Sequence, residues 1–123
     1  MNKIIIAGTR TFKDYQLLKN VVNHSKFKNI DVILSGGARG ADSLGERYAL
    51  ENNVRLDVHH ALWEKYGKSA GYRRNEEMTQ NATGAIIFWD GRSKGTEHMI
   101  NLARTYNLDG FYYNYVEKRY VEL

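Results

Sequence analysis

Two stretches of the chain are apolar at consecutive positions, Ile4-Ile5-Ile6-Ala7 and Ala85-Ile86-Ile87-Phe88-Trp89. Strands buried on both faces read this way, so each predicts a central strand of a parallel sheet. Ile30-Asp31-Val32-Ile33-Leu34 predicts a third buried strand. Arg55-Leu56-Asp57-Val58-His59 alternates with polar residues and predicts a strand nearer an edge, and Phe111 to Tyr115 predicts the last one. Between them the apolar spacing lengthens to that of a helix face. Leu17, Leu18, Val21 and Val22 form one stripe, with Asp14 placed to cap its helix. Ala41, Leu44, Gly45, Tyr48 and Ala49 form a second, ended by Asn52-Asn53, a pair suited to a left-handed stop. Asn75, Met78 and Ala82 mark a helix from Tyr72 to Asn81, and Met99, Ile100, Ala103 and Tyr106 mark the inward side of another. His60 to Gly71 shows no periodicity, and Glu117 to Leu123 predicts no element.

Strands that alternate with helices imply right-handed crossovers and a doubly wound α/β fold. The expected architecture is three layers around a mainly parallel sheet of about five strands, with residues 1–123 forming one domain. The strands containing Ile33 and Ile87 should flank a central strand at Ile4 to Ala7. In such sheets the loops after the C-terminal strand ends gather along one edge, where open α/β sheets bind ligands.

The richest of these loops is Ser35-Gly36-Gly37-Ala38-Arg39-Gly40-Ala41-Asp42, set between a strand and a helix. Its glycines permit positive φ and close approach of a ligand to the backbone, and the free N–H groups at the helix start suit a phosphate. The alternative is a tight strand-to-helix turn and nothing more. Three further loops reach the same edge: Gly8-Thr9-Arg10-Thr11, Tyr72 to Asn75, and Asp90-Gly91-Arg92-Ser93-Lys94-Gly95-Thr96. They would bring Arg10, Arg39, Arg73, Arg74, Arg92 and Lys94 to one rim, where arginine forks grip phosphate or carboxylate. The other reading is that most of these cations are solvated surface charge. Gly95-Thr96 is a second phosphate cradle or a plain helix cap. Asp42 and Asp90 are placed to bond ribose hydroxyls, unless Asp42 only caps its own helix. Trp63, Tyr66 and Trp89 are aromatic enough to stack on a base or to pack in the core.

Composition narrows the partners. Eighteen Lys and Arg against 14 Asp and Glu give a formal charge of +4, which suits an anionic ligand. The absence of cysteine excludes a disulfide frame and thiol chemistry. The four histidines lack metal-ligand spacing, so neither a metal nor a cofactor is expected. No apolar run is long enough to span a membrane, and a cytoplasmic protein is expected. Neither a Gly-x-x-x-x-Gly-Lys-Ser/Thr run nor a Gly-x-Gly-x-x-Gly follows any strand, which disfavours an ordinary ATPase or dinucleotide dehydrogenase.

Gly8 to Phe12, Ser35 to Asp42, Gly71-Tyr72-Arg73-Arg74-Asn75 and Phe88 to Thr96 together resemble the YspA/YpsA-type branch of the SLOG superfamily. That superfamily groups the DNA-processing protein DprA with the LOG phosphoribohydrolases. The resemblance spans Ile4 to Leu108 and departs from the branch at Tyr72, where proline is usual. It implies a Rossmann-like fold, a bacterial or phage setting that includes defence, and a pocket for a nucleotide or nucleotide-derived ligand. Its candidate ligand-binding residues are Gly8, Thr9, Arg10, Ser35, Gly36, Gly37, Ala38, Arg39, Gly40, Asp42, Arg74, Asn75, Asp90, Gly91, Lys94, Gly95 and Thr96.

The resemblance also poses an enzyme reading, cleavage of the base from a nucleoside monophosphate. Arg74, Asn75 and Met78 match the Arg-Lys…Met of the LOG enzymes, and Gly95 and Thr96 match part of their Pro-Gly-Gly-x-Gly-Thr-x-x-Glu. Met99 stands at the glutamate's place. Glu97 is two positions back, about 200° around the helix. Methionine offers no carboxylate to an oxocarbenium-like state, so binding is the favoured expectation, with Glu97 and Arg74 as the catalytic candidates of the enzyme reading. Likeness to DprA allows single-stranded nucleic acid as a third partner. Related domains commonly pair, and the tyrosine-rich last strand would supply apolar area for a homodimer or higher oligomer.

Overall fold

A computed structural model describes residues 1–123. The elements in chain order are β1 (Lys3–Gly8), α1 (Tyr15–Asn23), β2 (Val32–Ser35), α2 (Ala41–Glu51), β3 (Arg55–Val58), α3 (Trp63–Tyr66), a 3₁₀ turn (Gly67–Ser69), α4 (Ala70–Asn81), β4 (Gly84–Trp89), α5 (Lys94–Thr105), β5 (Asp109–Asn114) and β6 (Arg119–Glu122). The sheet order is β3-β2-β1-β4-β5-β6. All neighbours are parallel except β5 and β6. The order reverses between β1 and β4, which makes that junction the topological switch point.

Side-chain alternation along β1 divides the core in two. Ile4 and Ile6 face α1 and α2 in a cluster with Leu18, Val21, Val22, Ala49 and Phe88. Ile5 and Ala7 face α4 and α5 in a cluster with Met78, Ile87, Met99 and Ala103. The apolar runs of β1 and β4 are therefore continuous because each strand serves both layers. Asp14 caps α1 by accepting the Leu17 amide at 3.0 Å, and Asn53 takes φ 54° at the end of α2. These elements fall where the hydrophobic pattern puts them, in a doubly wound α/β fold.

Four expectations are corrected. First, the stretch from Glu117 to Leu123, for which no element is predicted, adds a sixth strand to the expected five or so. The tail forms β6, which turns back through the Asn114 side chain, whose Oδ1 accepts the Val116 and Glu117 amides, and through Lys118 at φ 56°. No Asn-Gly or Asp-Gly pair announces this hairpin. Second, the stretch without periodicity holds α3 and the 3₁₀ turn, and α4 begins at Ala70, two residues before Tyr72. Third, β2 begins at Val32, because the Asp31 and Val32 amides both donate to the Asn2 carbonyl ahead of the ladder. Fourth, Tyr106 points outward, and its hydroxyl accepts from Gln80 Nε2 at 3.2 Å. No helix is long and apolar enough to cross a membrane.

Candidate functional site

A cavity of about 450 Å³ opens at the switch point, above the C-terminal ends of β1 and β4. The end of β1 supplies Ala7 to Thr11, the glycine turn supplies Ala38 and Asp42, and the loop after β4 supplies Asp90 and Ser93. From the helical layer come Trp63, Lys68, Gly71, Tyr72, Arg74, Asn75 and Met78, and from α5 Gly95, Thr96 and Met99. Three loops and the first turns of α4 thus share one space of a size that holds a small organic ligand.

Hydrogen bonds fix its walls. Thr9 ties β1 to β4: its amide donates to the Phe88 carbonyl at 2.9 Å, and its hydroxyl accepts the Asp90 amide at 3.2 Å. Its carbonyl accepts the Ala41 amide at 3.3 Å, which draws the start of α2 against the same loop. The approach requires glycine at position 40. Gly40 has φ +77°, and a Cβ there would lie 2.4 Å from the carbonyl oxygens of both Thr9 and Arg10.

Asp42 is buried and bridges two loops, accepting the Gly8 amide on Oδ1 and the Ala38 amide on Oδ2, each at 3.3 Å. Burial pushes its carboxyl up to about 6, against the opposing pull of Arg74 and of those two amides. It does not cap α2, whose N-cap is Gly40. Arg74 donates from Nη1 to the Gly36 carbonyl at 2.7 Å and from Nε to Asn75 Oδ1 at 3.1 Å. Its pKa is lowered by burial, in spite of the Asp42 charge nearby. Asn75 Nδ2 in turn reaches the Gly95 carbonyl at 3.4 Å and His98 Nδ1 at 3.2 Å, which locks α4 to α5.

The loop after β4 is organised by Asp90, whose Oδ1 accepts the Arg92 and Ser93 amides at 2.8 Å each. Partial burial works to raise its pKa, but those backbone bonds outweigh it and hold it low. Ser93 caps α5 by accepting the Thr96 amide, and also accepts the Thr96 hydroxyl at 3.0 Å. The Lys94 and Gly95 amides at the start of α5 have no protein partner. An added Cβ on Gly95 meets nothing within 4 Å, so backbone there is open to the cavity. Gly95 and the positive end of the helix dipole face the same space as Arg10, which makes no hydrogen bond or ion pair to the protein.

The candidates named from sequence therefore separate. Gly8, Thr9, Arg10, Ala38, Asp42, Arg74, Asn75, Asp90, Gly95 and Thr96 line the cavity. Gly36, Gly37 and Arg39 line an adjoining depression that shares Arg10, Ala38, Trp63 and Arg74 with it. Gly37, at φ +71°, makes room for a neighbouring ring: a Cβ there would lie 2.8 Å from His60 Nδ1. Ser35 is fully buried, donates to Glu46 Oε2 at 2.6 Å and accepts the Gly37 amide, so it shapes the turn from beneath. Gly40, Gly91 and Lys94 line neither space. Of the six rim cations only Arg10 and Arg74 reach the larger cavity; Arg73 instead stacks over Tyr66 at 4.3 Å. Trp63, half exposed, faces both spaces, whereas Trp89 donates to the Ser93 carbonyl and Tyr66 lies outside. Lys68, Ser93 and Met78 complete the cavity wall. The Asp90-x-x-Ser93 spacing ahead of a helix was the available signal for Ser93, and nothing marked Lys68.

Met99 lines the cavity and is buried, while Glu97 is exposed and lies outside it. The only carboxylates on its wall are Asp42 and Asp90.

The Gene 61 protein of Mycobacterium phage D29 is 36% identical over 114 residues, an alignment covering 85% of this chain and 90% of that protein. No solved structure matches the chain. The family model for the YspA, cpYpsA-related SLOG family matches residues 2–66, through β1, the glycine turn, α2 and the approach to α4. On the strength of that match and of the phage relative, the chain belongs to the YspA, cpYpsA-related SLOG family.

Proposed function

We propose that this protein binds a nucleotide, or a phosphorylated molecule derived from one, in the cavity at the β1–β4 switch point. The observation that carries the reading is that Gly95, whose amide has no protein partner, and Arg10, whose guanidinium makes no hydrogen bond or ion pair, line one cavity of about 450 Å³. Backbone donors at a helix start and a free arginine form an anion site. The apolar wall of Trp63, Met78 and Met99 gives a base or sugar a dry surface beside it. Family membership supports a nucleotide-related role at the same coarse level.

Binding is favoured over base cleavage. Met99 offers no carboxylate, Glu97 lies outside the cavity, and Asp42 and Asp90 each already accept two backbone amides. A cavity of about 450 Å³ also suits a small ligand better than a polymer, whose binding would weaken steeply with added salt.

Calorimetric titration with the four common nucleoside monophosphates and their unphosphorylated nucleosides tests the reading. At least one monophosphate should bind, and its nucleoside should bind at least tenfold more weakly. Failure of every monophosphate and diphosphate to bind would remove the proposal.

A further inference from the structure

The depression beside the main cavity has a composition of its own. It measures about 360 Å³ and is walled by Arg10, Arg39, Arg74 and His60 around the Gly36-Gly37 turn, with Ala61 and Trp63 closing one side. No carboxylate lines it. The larger cavity, by contrast, sets Asp42 and Asp90 among its cations. Arg39 and His60, like Arg10, make no hydrogen bond and no ion pair within the protein. Arg74 has the Asp42 charge nearby, but Arg10 and Arg39 share the hollow without a carboxylate partner and repel one another, and an anion between them would relieve that repulsion.

Gly37 contributes to the same hollow. Its bare Cα admits the His60 ring, which a Cβ would meet at 2.8 Å. Arg10, Ala38, Trp63 and Arg74 border both spaces, so one ligand can lie across that border. A nucleoside monophosphate satisfies the Arg10 and α5 amides and leaves the second hollow without an anion.

We infer that the ligand carries a second phosphoryl group, joined to the first as in a nucleoside diphosphate or a diphosphate-bridged nucleotide derivative, and that Arg39 and His60 hold it beside the Gly36-Gly37 turn. This rests on the nucleotide-binding reading above. Arg39 and His60 are exposed and support no other element, so their replacement leaves the fold in place.

The test is calorimetric titration of the wild type, Arg39→Ala and His60→Ala with the four common nucleoside monophosphates and the four diphosphates. In the wild type the diphosphate of the preferred base should bind at least tenfold more tightly than its monophosphate. Arg39→Ala should erase most of that advantage and leave monophosphate affinity unchanged, and His60→Ala should lower diphosphate affinity several-fold. Monophosphates that bind as tightly as diphosphates, or a diphosphate advantage that survives both substitutions, would overturn the inference and leave the monophosphate site standing. If neither series binds, the nucleotide reading fails and the inference falls with it.

Discussion

Arg74 Nη1 donates to the Gly36 carbonyl across 2.7 Å, so the guanidinium at the border of the two hollows is also a strut of the glycine turn. Arg10 stands across the same cavity with no hydrogen bond or ion pair to the protein, its guanidinium 6.0 Å from the centre of the Trp63 ring. The two arginines should therefore respond differently to removal. Arg74→Ala leaves a carbonyl of a buried turn without its charged donor and should cost about 1.5–3 kcal/mol of stability, read by denaturant unfolding, as well as nucleotide affinity. Arg10→Ala should change stability by about 0.5 kcal/mol or less and weaken a phosphorylated ligand about tenfold. Equal destabilisation by the two would contradict the division of labour described here.

Asp42 predicts a pH dependence of definite sign. Its folded pKa, raised to about 6 by burial, exceeds its ordinary value of 3.8. Between those values the folded protein holds more protons than the unfolded chain, so stability falls as pH rises. The contribution of the neutral carboxyl is fully present below about pH 4 and lost as pH passes 6, for a total of about 3 kcal/mol. Asp42→Asn removes the titration. The wild type's stability relative to this variant should therefore decline from pH 4 to pH 6 and level off above. Carbon-13 titration of the Asp42 carboxyl should show a midpoint near 6, and a midpoint near 4 would refute the assignment.

Strands β1 and β4 were legible because a strand covered on both faces leaves no polar alternation, and Ile4–Ala7 and Ala85–Phe88 have none. The glycine turn was legible as a strand-to-helix loop, and its place at the ligand edge followed from the parallel order alone. What Asp42 touches was not. A carboxylate one residue into a helix reads as a first-turn acid, and only the crossing of β1 over the turn puts the Gly8 amide against it. The rim of six cations failed for a similar reason. Loop membership places a residue at the edge but does not orient it, and Arg73 turns to Tyr66 while Arg74 turns inward. Strand β6 was hidden because its turn depends on Asn114 and a left-handed Lys118, neither of which is a strong hairpin signal.

Incubation with nucleoside monophosphates should release no free base above background, as followed by chromatography. Cleavage of the N-glycosidic bond needs a carboxylate beside the reacting carbon, and Glu97 stands outside the cavity. Glu97→Gln should therefore leave nucleotide affinity unchanged. Release of base that disappears in Asp42→Asn would identify the protein as a hydrolase with Asp42 as its carboxylate.

Two glycine-to-alanine substitutions separate the scaffold from the ligand's space. At Gly40 a methyl group meets the carbonyl oxygens of Thr9 and Arg10 at 2.4 Å, at a φ of +77° that alanine rarely adopts. Gly40→Ala should cost about 1–3 kcal/mol or more from backbone strain alone, and binding should fall because the β1 loop moves away from α2. At Gly95 the methyl group meets nothing, and the backbone is already helical. Gly95→Ala should stabilise the fold by up to about 1 kcal/mol, since alanine loses less backbone entropy in a helix. The same methyl group enters the cavity that Gly95 lines, so nucleotide affinity should drop by tenfold or more. Denaturant unfolding and calorimetric titration of the two variants would then move in the same direction for Gly40→Ala and in opposite directions for Gly95→Ala. Undiminished nucleotide binding by Gly95→Ala would place the phosphate away from the start of α5.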